Sequence, residues 1–198
     1  MIQSKADLKR YLEQDRIALY RKSKRPRIAG DEIWQYEILL RKTEYYMNCH
    51  KTAFGKAIAV FYHYRLRKMG RKLCGFHIPP NAFEEGLSIA HWGPIVVHPT
   101  ARIGKNCRIH QCVTIGATNG ENQAARIGDN VFIGPCTSII GDIYNGPCNL
   151  DHGIEKMREH GIMRITKGRS ANYVIQNVHV GIQSKGSHRG SPRGEKSK

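Results

Sequence analysis

The sequence lacks any apolar run long enough to cross a bilayer, and this absence argues against a membrane-embedded protein. A spanning helix needs about 20 consecutive apolar residues, and no stretch of the 198 residues approaches that length. The opening stretch, MIQSKADLKRYLEQ, mixes charges and contains no apolar core of a secretory signal. We therefore expect no membrane span and a cytoplasmic location.

Paired cysteine motifs are also missing from the chain. Its six cysteines are scattered, and none forms a C-x-x-C pair, so the spacing typical of zinc sites is absent. In a chain without a secretory signal, such cysteines are expected to be reduced thiols rather than disulfides. We expect no metal cofactor.

Acidic residues are few, 16 against 32 lysines and arginines, which leaves a net charge of +16. Such an excess raises the question of a nucleic-acid or anionic-membrane partner. The excess of basic residues lies at the two ends of the chain. Residues 1–75 carry 18 basic and 7 acidic side chains, and residues 151–198 carry 10 basic and 4 acidic ones. Residues 76–150 carry only 4 basic against 5 acidic side chains. No zinc-finger, helix-turn-helix or RNA-binding signature is present. We therefore expect no specific nucleic-acid partner.

The N-terminal third predicts three helices. Leu8, Leu12 and Leu19 recur at helical spacing within residues 5–20. Residues 31–49 and 56–70 repeat the pattern, and Gly70 is expected to end the third helix.

A six-residue apolar period begins in the middle of the chain, at positions that are all branched aliphatics: Val97, Ile103, Ile109, Ile115, Ile127, Ile133 and Ile139. Helices repeat near 3.6 residues and strands near two, whereas a hexapeptide period is typical of a parallel β-helix. Three hexads make one triangular coil with the aliphatic side chain inside. Residues 117–126 keep the register and predict a loop extruded from the coil.

The repeat fails near its C-terminal end, where Asn145 and Asp151 replace the aliphatic residues. Residues 149–165 predict a helix, of which 150–161 would cap the coil, and the basic, Gly/Ser-rich end from residue 183 predicts a disordered tail. The expected organisation is a helical domain over 1–75, a β-helix over 76–143, and an atypical cap and tail over 144–198.

At GLSIAHWGPIVVHPTARIGKNCRIHQCVTIG and at the N-terminal KADLKRYLEQDRIAL, the chain resembles the bacterial serine acetyltransferases of the hexapeptide-repeat acyltransferase superfamily. The helical third is most similar to a short branch associated with polysaccharide gene clusters. The resemblance implies a left-handed parallel β-helix, acetyl-CoA as co-substrate bound between subunits, and a homotrimer or a dimer of trimers.

The resemblance also implies roles for individual residues. His91, in AHWGP, matches the family's catalytic base, which takes a proton from the serine hydroxyl as it attacks the thioester. Trp92 is a candidate wall of the acyl or acceptor pocket, and His110 a candidate lining residue of the cleft. The family runs the pantetheine of CoA along corners that match Gly116, Gly134 and Cys136.

Several family residues are replaced. The aspartate before the base is Ala90, and the upstream acidic residue that orients the base falls on Phe76 or His77. We expect Glu84 or Glu85, or a carbonyl, to orient His91 instead. The Arg-His pair that grips the serine carboxylate falls on Gln123 and Ala124, and Gln123 is a candidate substrate-binding residue at that position.

Three functions follow from these observations. The first is serine O-acetylation with acetyl-CoA, feeding cysteine synthesis. The second is O-acetylation of a sugar hydroxyl, which the missing carboxylate-gripping pair favours. The third is an inactive truncated relic, which the failure of the hexads after residue 143 favours.

Overall fold

The computed structural model describes residues 1–117 and 123–141, together with the backbone of four later strands, 144–145, 164–167, 173–176 and 179–180. Three helices come first: α1 (Lys5–Ala18), α2 (Glu32–Cys49) and α3 (Ala53–Lys72). The three predicted helices are thus confirmed. None of these described helices is long and apolar enough to cross a membrane.

The helix ends follow local capping chemistry. The Ser4 hydroxyl accepts the backbone N–H of Asp7 at 3.0 Å, and the Thr52 hydroxyl accepts that of Gly55 at 3.1 Å. Gly70 does not end α3, contrary to the prediction, because the helix continues to Lys72. A Cβ at Gly70 would lie 2.3 Å from the Phe76 carbonyl oxygen, so this glycine allows α3 to approach the first strand closely.

Thirteen short strands follow the helices in the described part of the chain. They are β1 (Phe76–His77), β2 (Ser88–Ile89), β3 (Ile95–Val97), β4 (Arg102–Ile103), β5 (Arg108–Ile109), β6 (Val113–Gly116), β7 (Arg126–Ile127), β8 (Val131–Ile133), β9 (Ser138–Ile140), β10 (Tyr144–Asn145), β11 (Arg164–Lys167), β12 (Tyr173–Gln176) and β13 (His179–Val180).

The strands form three sheets, in the orders β1-β3-β6-β9-β13, β10-β7-β4 and β11-β12-β8-β5-β2. From β2 to β10 the chain visits the three sheets in constant rotation, and every pair of strands except β11–β12 is parallel. A chain that winds through three parallel sheets in this way is a parallel β-helix. The hexapeptide prediction is confirmed.

The predicted aliphatic column lines the interior of the coil. Ile109 pairs in register with Ile133, and Ile115 with Ile139. All four side chains are buried. Stacking of equivalent residues one coil apart removes these side chains from water, which is why the hexads stabilise one another.

The prediction that the coil ends at residue 143 is wrong. Strand β10 pairs in parallel with β7, which places Asn145 opposite Ile127. Strands β12 and β13 pair with β8 and β9, so that Ile175 is opposite Ile133 and Val180 is opposite Ile139. The residues between β10 and β12 break the hexapeptide spacing, which hid the returning strands from the sequence pattern. The end of the helix predicted over 149–165 is wrong, because Arg164 and Ile165 begin strand β11, where they pair with β12. The rest of that helix and the tail predicted from residue 183 lie outside the described residues.

A buried charge cluster joins the helices to the first coil. The Arg41 guanidinium, fully buried, donates to the Asp15 carboxylate at 2.7 Å and to Glu44 at 3.0 Å. It also donates to the backbone carbonyls of Phe83 at 2.8 Å and Glu84 at 2.7 Å. Arg41 therefore bonds α1, α2 and the segment before β2 through a single side chain.

Two buried carboxyls extend this junction along the chain toward β2. An oxygen of Asp15 accepts the backbone N–H groups of Gly86 and Leu87 at 2.8 and 2.9 Å. Glu37 accepts the N–H of Ile89 at 2.9 Å. The helical domain thus fixes the backbone immediately before His91.

Candidate active site

His91 lies on an enlarged corner of the first coil. Ile95 follows Ser88 by seven positions, whereas their partners on the next coil, Val113 and Arg108, are only five positions apart. The two additional residues make the corner after β2 protrude. His91 is exposed there, and the neighbouring Trp92 is 57% exposed.

Gly93 makes this corner possible. Its φ of +136° lies in a region that residues with a side chain rarely adopt, and a Cβ there would lie 2.8 Å from the Cβ of Gln111. The corner can therefore rest directly on the coil below it, with His91 on its outer side.

His110 lies beside His91, on the next coil. The two imidazole rings have centroids 5.4 Å apart, and the ring of His110 is 5.0 Å from that of Phe132 on the following coil. His91 follows the end of β2 by two positions, His110 directly follows β5, and Phe132 belongs to β8; these three strands are neighbours in one sheet. Successive coils thus form one aromatic row on the outer surface.

The pKa of His110 is lowered from its ordinary value, mainly because partial burial disfavours the charged ring, and further because the Arg108 guanidinium places positive charge nearby. The lowered pKa favours the uncharged form of the His110 imidazole at neutral pH. A neutral neighbour does not repel the imidazolium that His91 would become on accepting a proton.

The residues expected to orient His91 are engaged elsewhere. Glu84 accepts the N-terminal ammonium group at 2.9 Å, and Glu85 pairs with Arg10 at 2.6 Å and with Lys105 at 3.1 Å. The prediction that either carboxylate orients His91 is therefore wrong, because both are satisfied by cations at the junction with α1. Within residues 1–117 and 123–141, no hydrogen bond to the His91 ring is present.

The two upstream positions matching the family's acidic residue do not supply a carboxylate either. Phe76 is buried and packs edge-on against Tyr36, with ring centroids 5.2 Å apart. His77 is exposed on β1, opposite Val96, in a different sheet from β2.

The predicted CoA-contacting residues lie on two faces of the coil. Gly134 directly follows β8, and Cys136 is exposed at the corner beyond it. Gly116 ends β6 in the next sheet, and a Cβ there would meet the tip of the Ile140 side chain at 2.9 Å. Gly134 is buried, so that of these three residues only Cys136 and the half-buried Gly116 are open to the outer surface of the coil.

Gln123 and Ala124 occupy the segment that leads into β7. Gln123 is exposed, whereas Ala124 is buried and bridges Ala117, with its N–H donated to the Thr100 hydroxyl at 3.1 Å. Ala124 therefore cannot reach a ligand on the surface. Neither residue is brought to the His91 corner of the same chain.

Two residues near this site were missed by the sequence reasoning, Arg108 and Phe132. Together with Ser88 and Tyr20 they line a cavity of about 320 Å³ between the end of α1 and the outer face of the sheet. Arg108 donates to the Ser88 hydroxyl at 3.0 Å. The sequence could have indicated both residues, because each stands directly before an isoleucine of the inward column. Neighbouring residues of a strand point to opposite faces, so Arg108 and Phe132 lie on the outside.

No family model matches the chain. It is 34% identical to a serine acetyltransferase of Synechococcus elongatus over 85 residues, which are 41% of this chain and 34% of that protein. It is 36% identical to a serine acetyltransferase of Staphylococcus epidermidis over 81 residues, 39% of this chain and 38% of that protein. The matched segments thus span little more than a third of these curated relatives.

Solved serine acetyltransferases share the fold. The Brucella abortus structure superposes with a TM-score of 0.53 at 22% identity, covering 73% of this chain and 58% of that one. An Entamoeba histolytica isoform in complex with cysteine gives a TM-score of 0.52 at 25% identity, covering 71% of this chain and 50% of that one. The structural similarities show the fold, helices followed by a β-helix, and the sequence matches show similarity to serine acetyltransferases over about 40% of this chain.

Proposed function

We propose that the chain is an acetyl-CoA-dependent serine O-acetyltransferase in which His91 is the general base. The observation that carries this proposal is the exposed His91 on the protruding corner of a parallel β-helix, with its ring centroid 5.4 Å from that of His110. The similarity to curated serine acetyltransferases supports the choice of reaction.

The reaction begins with removal of a proton from the acceptor. The hydroxyl of L-serine is a weak nucleophile, and transfer of its proton to the His91 imidazole makes the oxygen reactive toward the thioester carbonyl. A tetrahedral oxyanion forms, and a backbone N–H at the corner is suited to stabilise it. When the C–S bond breaks, the proton passes from His91 to the departing thiolate, which leaves as CoA.

The other residues have supporting roles in this proposal. Trp92 and His110 form walls of the acceptor pocket, and the pantetheine arm of acetyl-CoA follows Gly134, Cys136 and Gly116. A related structure, that of the Brucella abortus protein, was solved in complex with coenzyme A. We further propose the left-handed coil, the homotrimer or dimer of trimers, and the polysaccharide-associated branch that the sequence resemblance implies.

A second acceptor class, a sugar hydroxyl, is favoured by one observation. The positions that match the family's carboxylate-gripping pair hold Gln123 and the buried Ala124. Neither carries the positive charge that would bind the carboxylate of serine. A neutral sugar needs no such charge, so the same His91 chemistry would serve it.

The test is release of CoA from acetyl-CoA, followed with a thiol reagent, with L-serine and with free hexoses as separate acceptors. We expect L-serine to be acetylated and His91→Ala to lower kcat by about 100-fold or more, as for loss of a general base. His98→Ala is the matched control, because His98 is also a surface histidine of the coil but only bonds Thr100 within its own turn, at 2.8 Å.

Each outcome of this assay separates the candidates. Release with hexoses but not with L-serine would establish the sugar transferase instead. Absence of release with either acceptor would establish an inactive relic, and a His91→Ala variant with unchanged kcat would exclude His91 as the base.

A further inference from the structure

We propose that Cys112 and Cys136 form a redox site, a dithiol that is reversibly oxidised to an intrachain disulfide by exchange with a low-molecular-weight disulfide. The two cysteines lie on adjacent coils at the corner that follows His110. The site shares Cys136 with the proposed path of the pantetheine arm, but its test measures the thiols themselves and needs no transferase activity.

Register places the two cysteines at equivalent positions. Before the corner, Ile109 pairs with Ile133, and after it, Thr114 pairs with Ser138. The offset between the coils is 24 residues on both sides of the corner, so Cys112 and Cys136 lie directly one above the other. Within the corner itself, the N–H of Cys136 donates to the carbonyl of Gln111 at 3.1 Å.

The backbone turns both side chains outward in the same direction. Cys112 has a φ of +58° and Cys136 a φ of +55°, so each occupies the left-handed position of its turn. Both residues are exposed. Partial loss of hydration, and then the charge and hydrogen bond of the neighbouring Cys136 thiol, raise the pKa of Cys112. The two thiols therefore lie close to each other on the outer face of the corner.

The distance between neighbouring coils permits a disulfide between Cys112 and Cys136, provided that the two Cβ atoms move closer together. Neighbouring parallel strands are about 4.8 Å apart, which lies within the range of about 4.4–6.8 Å for the Cα atoms of a disulfide. The Cβ atoms must approach by roughly 1 Å from that spacing to reach the usual disulfide value. A disulfide under such strain is reduced easily, which suits a reversible site rather than a permanent crosslink.

Cys107, a third cysteine of the coil, differs from this pair in burial and reactivity. Cys107 is also in the β-helix, but it is buried, and burial raises the pKa of its thiol to about 12. The thiolate is the form that attacks a disulfide, so Cys107 is unreactive.

The exchange proceeds in two balanced steps. One thiol of the pair loses its proton to solvent, and its thiolate attacks the small disulfide, forming a mixed disulfide and releasing one small thiolate. The second thiol, deprotonated in turn, attacks the protein sulfur of the mixed disulfide and releases the other small thiolate. The protein loses two hydrogens and two electrons, and the small disulfide gains them as two thiols.

The experiment equilibrates the full chain with oxidised glutathione, blocks remaining thiols with N-ethylmaleimide, and identifies tryptic peptides by mass. Trypsin cleaves after Arg108, Arg126 and Lys156, so Cys112 and Cys136 fall on the separate peptides 109–126 and 127–156. We expect these two peptides to be joined, with the mass of their sum less two hydrogens plus one N-ethylmaleimide on Cys148, in a chain that migrates as a monomer on a non-reducing gel. Dithiothreitol should separate them.

Because peptide 127–156 also contains Cys148, three variants assign the bond. Cys136→Ser should lower the yield of joined peptide at least about tenfold and leave glutathione on Cys112, whereas Cys148→Ser should keep the joined peptide. Cys74→Ser, which removes another exposed thiol at a left-handed turn position, should also keep it. Survival of the link in Cys136→Ser, a disulfide-linked dimer, or peptide 109–126 recovered only as a glutathione adduct from the wild type would each overturn the proposal.

Discussion

Replacement of Glu37 by glutamine should make the folded protein more stable at neutral pH. Glu37 is completely buried, and one of its oxygens accepts the Ile89 N–H at 2.9 Å. Its other oxygen has no hydrogen-bond partner in the described part of the chain. Burial, and secondarily the negative charge of Asp15, raises the pKa of the Glu37 carboxyl well above its ordinary value. The folded state therefore holds a proton that the unfolded state has lost.

The magnitude follows from linkage between protonation and folding. Because the folded-state pKa is raised, the stability that Glu37 contributes is complete below its unfolded pKa, near 4.5, and is lost as pH rises through its folded pKa. In that window the free energy of unfolding falls by about 1.4 kcal/mol per pH unit. Glutamine has nearly the same shape, stays neutral and still accepts the Ile89 N–H. The Glu37→Gln variant should gain about 3 kcal/mol over the wild type by pH 7, for as long as the folded carboxyl stays protonated.

The assay is urea unfolding followed by circular dichroism from about pH 5 to about pH 8, for the wild type, Glu37→Gln and a control variant. The difference between Glu37→Gln and the wild type should grow with pH and level off at the folded-state pKa of Glu37. Glu13→Gln is the control: Glu13 is exposed on α1, and its hydrogen bond with Arg16 lowers its pKa, so it titrates below this window. A difference that does not change with pH would refute the reasoning, because it would mean that Glu37 is ionised in the folded state.

Two further predictions concern the packing of the helices and coils. Arg41→Met should lower the free energy of unfolding by about 3–5 kcal/mol in the same urea assay, because it leaves the buried carboxylates of Asp15 and Glu44 without their shared cation; a loss under about 1 kcal/mol would contradict this. Gly104→Ala should destabilise the protein more than Gly116→Ala. A Cβ at Gly104 would lie 2.7 Å from a backbone carbon of the next coil, which cannot move aside easily. A Cβ at Gly116 would meet only the tip of the flexible Ile140 side chain, at 2.9 Å. Equal melting temperatures for these two variants would contradict this, because they would show that neighbouring coils can move apart at little cost in stability.

The parts of the fold that the sequence predicted have a local or periodic cause. The three helices follow from apolar residues at helical spacing, and the coil follows from an aliphatic residue at every sixth position. Each hexad repeats the same strand and corner, so the interior column from Val97 to Ile139 is visible in one dimension. The protruding corner of His91 was found through a short motif rather than through periodicity.

The parts that were missed depend on contacts between distant residues. The returning strands β12 and β13 were hidden because a long segment separates them from β10. Glu84 and Glu85 were expected to serve His91 because they are near it in sequence, yet the N-terminal ammonium and Arg10 pair with them in space. Such ion pairs join residues that are far apart in the chain, so a periodic sequence pattern does not predict them.

The sequence by itself determined the repeating unit, because the alternation of inward and outward side chains within a hexad is a local property of the chain. It also determined that a histidine stands at the start of the coil. Only the tertiary structure decided which side chains meet across coils: His91 with His110, Glu37 with the backbone before His91, and Cys112 with Cys136. Those contacts depend on the register between strands about 20 residues apart, and register is set by corner lengths and by packing of the whole column.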